Sequence, residues 1–163
     1  MNNTVYYGDA ETVLRRIPDK SVNCCVTSPP YYGLRDYGVD GQIGLEDSPA
    51  EFIDRLVAVF REVRRVLKDD GTCWIVIGDS YAGSGKGAAE YPENAVKYKQ
   101  GTNFGMVGAQ ATAKIPKRFE DIKPKDLIGI PWMLAFALRD DGWYLRQDII
   151  WHKPNPMPEN VRD

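Results

Sequence analysis

The sequence predicts an α/β fold with a mostly parallel sheet, and two observations carry that expectation. Residues 22–26 carry an apolar run (Val22, Cys24, Cys25, Val26), and residues 72–77 are continuously apolar, the pattern expected of a strand buried on both faces. Between them lies one long amphipathic segment with its own start and stop signals. Strand, helix and strand thus follow in the order of a βαβ unit.

Residues 4–7 form a β-type run closed by Gly8-Asp9. A helix is expected through Glu11, Val13, Leu14 and Ile17, ending at Pro18, where the ring removes a helical donor. The strand at 22–26 leads into Thr27-Ser28-Pro29-Pro30-Tyr31-Tyr32, and the glycine-rich stretch 33–44 reads as a mobile loop. Ser48-Pro49-Ala50-Glu51 is a capping box with proline at the first helical position. Phe52, Ile53, Leu56, Val57, Phe60, Val63 and Leu67 then recur at helical spacing and make one apolar stripe. Asp69-Asp70-Gly71 is the expected stop, and the strand 72–77 ends at Gly78-Asp79. Residues 80–123 hold no sustained period, and so long an irregular stretch within a domain is usually functional or disordered. Helical spacing returns from Pro131 through Met133, Leu134, Phe136, Ala137 and Leu138, and stops at Asp140-Asp141-Gly142. Residues 144–151 are expected as a last strand, followed by a proline-rich exit from His152 to Pro158. Residues 1–163 are read as one part-domain interrupted by the loop at about 80–123.

A chain of 163 residues, 43% hydrophobic and 27% charged, suits one globular domain. No apolar run approaches the ~18 residues of a membrane span. Met1-Asn2-Asn3-Thr4 lacks the basic and apolar regions of a signal peptide. Cys24, Cys25 and Cys73 lie in strand-like surroundings, and His152 is the sole histidine, so no zinc ligand set can be assembled and no metal is expected. Reduced, buried thiols in a cytoplasmic protein are the expectation. A net charge of −2 argues weakly against binding nucleic acid by bulk charge. From Lys86 to Lys125, however, eight basic residues face four acidic ones, which fits either a DNA-facing patch or a solvated loop.

The chemistry concentrates in residues 27–32. Two successive prolines fix φ near −65° and remove two backbone donors. The result is a stiff bend at a strand end, with carbonyl acceptors, a Ser28 hydroxyl and the Tyr31 ring. Such a bend suits a planar ring bearing an NH2 group. An aromatic amine is a poor nucleophile because its lone pair is delocalised. Acceptors against both N–H bonds, placed in advance, favour a pyramidal nitrogen able to attack an activated methyl group.

Ser28-Pro29-Pro30-Tyr31 resembles the catalytic motif of the β-type, S-adenosylmethionine-dependent DNA amino-methyltransferases, which act on cytosine N4 or adenine N6. The resemblance covers nearly the whole chain as the first half of such an enzyme. It implies a Rossmann-like fold, incomplete on its C-terminal side, a flipped base in double-stranded DNA, and cytosine N4 as the favoured target because of Ser28. Ser28 and the Pro29 carbonyl would accept from the amine, Pro30 would stiffen the bend, and Tyr31 would stack on the base. Asp9, Thr27 and Ser28 are the implied cofactor contacts, with a helix N-cap as the plain alternative for Asp9. Tyr32, Trp151 and Lys153 are implied substrate contacts, although Trp151 also reads as an ordinary strand end. Arg35 and Asp36 could touch DNA or cofactor.

Asp79-Ser80-Tyr81-Ala82-Gly83-Ser84-Gly85 superficially resembles the family's methionine-binding loop. Ser80 replaces its proline and no helix periodicity follows, so a plain loop is expected. The implied partners are DNA, a C-terminal half or partner subunit, and a paired restriction endonuclease. The rival readings are methyl transfer to RNA or a protein amide, and a non-catalytic DNA-binding or assembly module.

Overall fold

The computed structural model describes residues 3–82, 122–123 and 125–155. Its elements follow in the order α1 (Ala10–Leu14), β1 (Val22–Thr27), α2 (Pro49–Val66), β2 (Leu67–Ile75) and α3 (Ile130–Asp140). β1 and β2 pair in parallel across the α2 connection, so the chain is α/β and holds the expected βαβ unit.

α2 forms where the sequence places it. Glu51 N–H donates to Ser48 Oγ at 3.2 Å, and Asp47 N–H donates to Glu51 Oε2 at 3.0 Å. The return arm of the box therefore reaches one residue further back than usual. Every residue of the expected apolar stripe is buried, with Phe52 and Leu56 at the centre. That face meets the inner side of the sheet through Val22, Cys25, Cys73 and Ile75, and meets α3 through Ile130, Leu134 and Leu138. The Trp143 ring closes this layer edge-on to Phe60, with centroids 6.5 Å apart.

Arginines of α2 fasten its neighbours. Arg65 donates to the Leu14 carbonyl at 2.8 Å and the Ile17 carbonyl at 3.0 Å, satisfying carbonyls that end α1, and also pairs with Asp19. Arg61 pairs with the Asp141 carboxylate at 2.6 Å, while Arg64 donates to the Asp141 carbonyl at 2.6 Å. Both ends of the fold are thus tied to one helix.

Three expectations change. The helix stops at Val66, and Leu67 enters β2 at once, opposite Val22. Regular pairing resumes only at Cys24 with Thr72, so the expected Asp-Asp-Gly stop lies in an irregular excursion between these pairs. Lys20 fixes that excursion through Asp69 at 2.8 Å. Next, the apolar strands are covered on one face only among the described residues. Cys24, Val26 and Trp74 point outward and are exposed, and Cys24 is not the buried thiol expected. Finally, residues 4–7 and 144–151 form no strand, and Val5, Tyr7, Ile150 and Trp151 are exposed. β composition supplies propensity, but a strand also needs a neighbouring backbone to take its donors and acceptors. None is present among the described residues.

The body of the irregular stretch, 83–121, lies outside the described residues, as do six of the eight basic residues between Lys86 and Lys125. Its two ends are held together. Tyr81 bridges Leu127, and Ala82 exchanges 2.8 Å hydrogen bonds with Asp126 and Lys125. Among the described residues no helix is long and apolar enough to cross a membrane, and no group of side chains could hold a metal ion.

Candidate active site

β1 delivers the Ser-Pro-Pro bend to the carboxyl end of the sheet. The ladder runs to its last residue, where Val76 N–H donates to the Thr27 carbonyl at 2.9 Å. The bend then leaves the sheet with Ser28 exposed, Pro29 and Pro30 half-buried, and the Tyr31 ring half-buried beside Gly78. Among the described residues no donor reaches Ser28 Oγ or the Pro29 carbonyl. The two acceptors named from sequence thus have no described donor at the carboxyl end of the sheet, where ligands of α/β folds gather.

Tyr32 has another place. Its side chain is 6% exposed and packs on Phe52, with ring centroids 5.4 Å apart. Burial, with Glu46, Asp47 and Glu51 nearby, pushes its hydroxyl up to about 12. The expected substrate contact becomes a core anchor that fixes the bend from below. The chain turns directly after Tyr31, where Leu34 N–H donates to the Tyr31 carbonyl at 3.3 Å, and this turn carries Tyr32 into the core.

The glycine-rich loop expected to be mobile is knitted instead. The Gln42 side chain donates to the Arg35 carbonyl at 2.9 Å and accepts from Tyr37 N–H at 2.6 Å. Arg55 donates to the Gly41 carbonyl at 3.2 Å, and Gly33 N–H donates to the Gly44 carbonyl at 2.7 Å. The loop borders an open groove of about 530 Å³ lined by Asp36, Asp40, Glu46 and Arg55 among others. Three carboxylates against one guanidinium make that groove a poor seat for phosphate.

Asp9 is the N-cap of α1. Thr12 N–H donates to its Oδ1 at 2.9 Å and holds the carboxyl below the usual carboxylate range. Asp79 is the residue the sequence reading passed over. Its carboxylate accepts from Ser80 N–H at 2.8 Å, from Gly129 N–H at 2.9 Å and from Ile130 N–H at 3.1 Å. It thereby caps α3, whose own N-cap, Gly129, has no side chain to do so. The signal was present in the repeated dipeptide: Gly8-Asp9 and Gly78-Asp79 both cap helices, one adjacent and one remote. Trp151 and Lys153 are exposed, outside any described strand. Behind the bend, Cys25 faces Cys73 across the ladder. Interaction between these facing thiols lowers the Cys25 thiol and, with burial, raises that of Cys73.

A DNA methylase family model of the N6/N4 type matches residues 22–163. The chain belongs to this DNA methylase family. The methylase chain is 55% identical over 161 residues to Type II methyltransferase M.Cfr9I of Citrobacter freundii, covering 98% of itself and 49% of that relative. It is 51% identical to M.SmaI of Serratia marcescens, of which it covers 50%, and 32% identical to M.PvuII of Proteus hauseri, of which it covers 35%. The methylase chain thus spans about half the length of the relatives it resembles most among these. No solved structure matches it.

Proposed function

We propose that this chain carries the catalytic bend of a site-specific DNA amino-methyltransferase, acting on the exocyclic amine of a flipped base, with cytosine N4 favoured. The observation that supports this best is that, among the described residues, no donor reaches Ser28 Oγ or the Pro29 carbonyl, which adjoin Tyr31. The Type II methyltransferase names of the relatives agree with it.

In this reading the target base leaves the duplex and lies against Tyr31. Stacking on the ring contributes about 1–3 kcal/mol. Ser28 Oγ and the Pro29 carbonyl accept from the two N–H bonds of the amine, which raises electron density on nitrogen and aligns its lone pair. Both acceptors sit on a backbone that two prolines have already stiffened, so little ordering remains at the moment of reaction.

S-adenosylmethionine, when bound, supplies a methyl group on positively charged sulfur. The residues fit part of it. Asp9 is exposed and held ionised by the Thr12 N–H, so it remains an acceptor suited to the adenine amine. Thr27 and Ser28, at the carboxyl end of β1, would line the same edge. Double-stranded DNA is the proposed substrate, with a C-terminal portion of the protein, or a partner subunit, and a paired endonuclease as further partners.

The test offers radiolabelled S-adenosylmethionine with duplex DNA, RNA and protein to a protein of the relatives' length, then digests the DNA to nucleosides. Label in N4-methylcytosine is the expected result. Label in N6-methyladenine moves the base assignment only, whereas label in RNA or protein alone overturns the reading. Calorimetry that detects no cofactor binding to such a protein would favour a non-catalytic module.

A further inference from the structure

The Tyr31 residue is enclosed by two glycines that are far apart in sequence. A Cβ built on Gly78 would lie 2.9 Å from Tyr31 Cε2 and 3.5 Å from Cδ2, so the ring edge occupies the space a side chain there would need. A Cβ on Gly44 would lie 3.1 Å from the Tyr31 carbonyl oxygen and 3.4 Å from Pro30 Cβ. Gly44 also has φ +109°, a conformation other residues rarely adopt, and is buried at the neck of the knitted loop. One glycine therefore abuts the ring and the other abuts the peptide of the same residue.

We infer that Gly78 and Gly44 form the seat of Tyr31, and that Gly78 is a positioning residue fixing the plane against which the target base stacks. This inference rests on the proposed base-stacking role of Tyr31. The two contacts differ in what a side chain would displace. At Gly44 an added methyl meets rigid backbone. At Gly78, whose backbone conformation is open to any residue, it meets a ring carried on two rotatable bonds. The cheaper relaxation at Gly78 is therefore movement of the ring, with the fold retained. Asp79 holds this neighbour in place, since its carboxylate fixes the strand end to residues 129 and 130. Gly78 thus approaches the ring from an anchored position.

Two measurements test the seat on Gly78→Ala. In fluorotyrosine-labelled protein, with the Tyr31 resonance assigned through Tyr31→Phe, that resonance is expected to move while the other tyrosines hold. An unmoved Tyr31 resonance overturns the seat, whether or not the protein methylates DNA. In the active protein, Gly78→Ala is expected to lower kcat about tenfold or more at unchanged melting temperature. In a Tyr31→Ala background the same change should add less than about twofold. Equal losses in both backgrounds would overturn the positioning role. A wild-type protein that transfers no methyl group to DNA would overturn the base-stacking reading while leaving the resonance test to decide the seat.

Discussion

At the residue scale, Tyr31 and Tyr32 divide one task. Tyr31 lies beside Gly78 at the rim, and Tyr32, buried on Phe52, holds the turn that carries it. Tyr31→Ala should cost about one to two orders of magnitude in turnover, matching a lost stack, with an unchanged melting curve. Steady-state assays beside calorimetric melting check both halves of that statement. Tyr32→Phe tests the anchor through pH. Burial holds the folded-state hydroxyl up at about 12 against its ordinary value of 10.0, so the folded state binds the proton more tightly. The contribution is complete below pH 10 and is lost as pH rises towards 12. Tyr32→Phe should therefore lose less stability than wild type across that interval, as denaturant midpoints at stepped pH would show.

At the scale of elements, α2 dominates because every other described element leans on it. Phe52→Ala should cost about 3–5 kcal/mol, since its side chain is fully enclosed between Tyr32 and the helix's own layer. Urea titration would measure it. Asp79→Ala removes the acceptor for the first donors of α3 and should cost about 1–3 kcal/mol, seen as a lower melting temperature. α2 was legible because an apolar stripe, a capping box and a leading proline agree on one helix. The Ser-Pro-Pro bend was legible for a similar reason, as proline restricts the chain whatever surrounds it. The runs at 4–7 and 144–151 were misread because strand pairing is a contact between distant segments, which composition does not encode. Tyr32 and Asp79 escaped for the same cause. Their roles depend on Phe52 and Gly129, which lie 20 and 50 positions further along.

At the scale of the molecule, the sheet is asymmetric. Its inner face joins the core, while Val26 is 74% and Trp74 46% exposed on the outer one. Parallel sheets are ordinarily covered on both sides. A polypeptide of residues 1–163 alone should therefore bind a hydrophobic dye, and Trp74→Ser should reduce that binding; dye fluorescence titrations would decide it.

Tyr81 and Leu127 meet as neighbours, so the described positions that flank the intervening stretch lie side by side. Loop closure grows only logarithmically with length, at about 0.6 kcal/mol per doubling. Because Ala82 and Lys125 are already held together, a change in the number of residues joining them should cost little in closure and leave Ser28 and Tyr31 where they are.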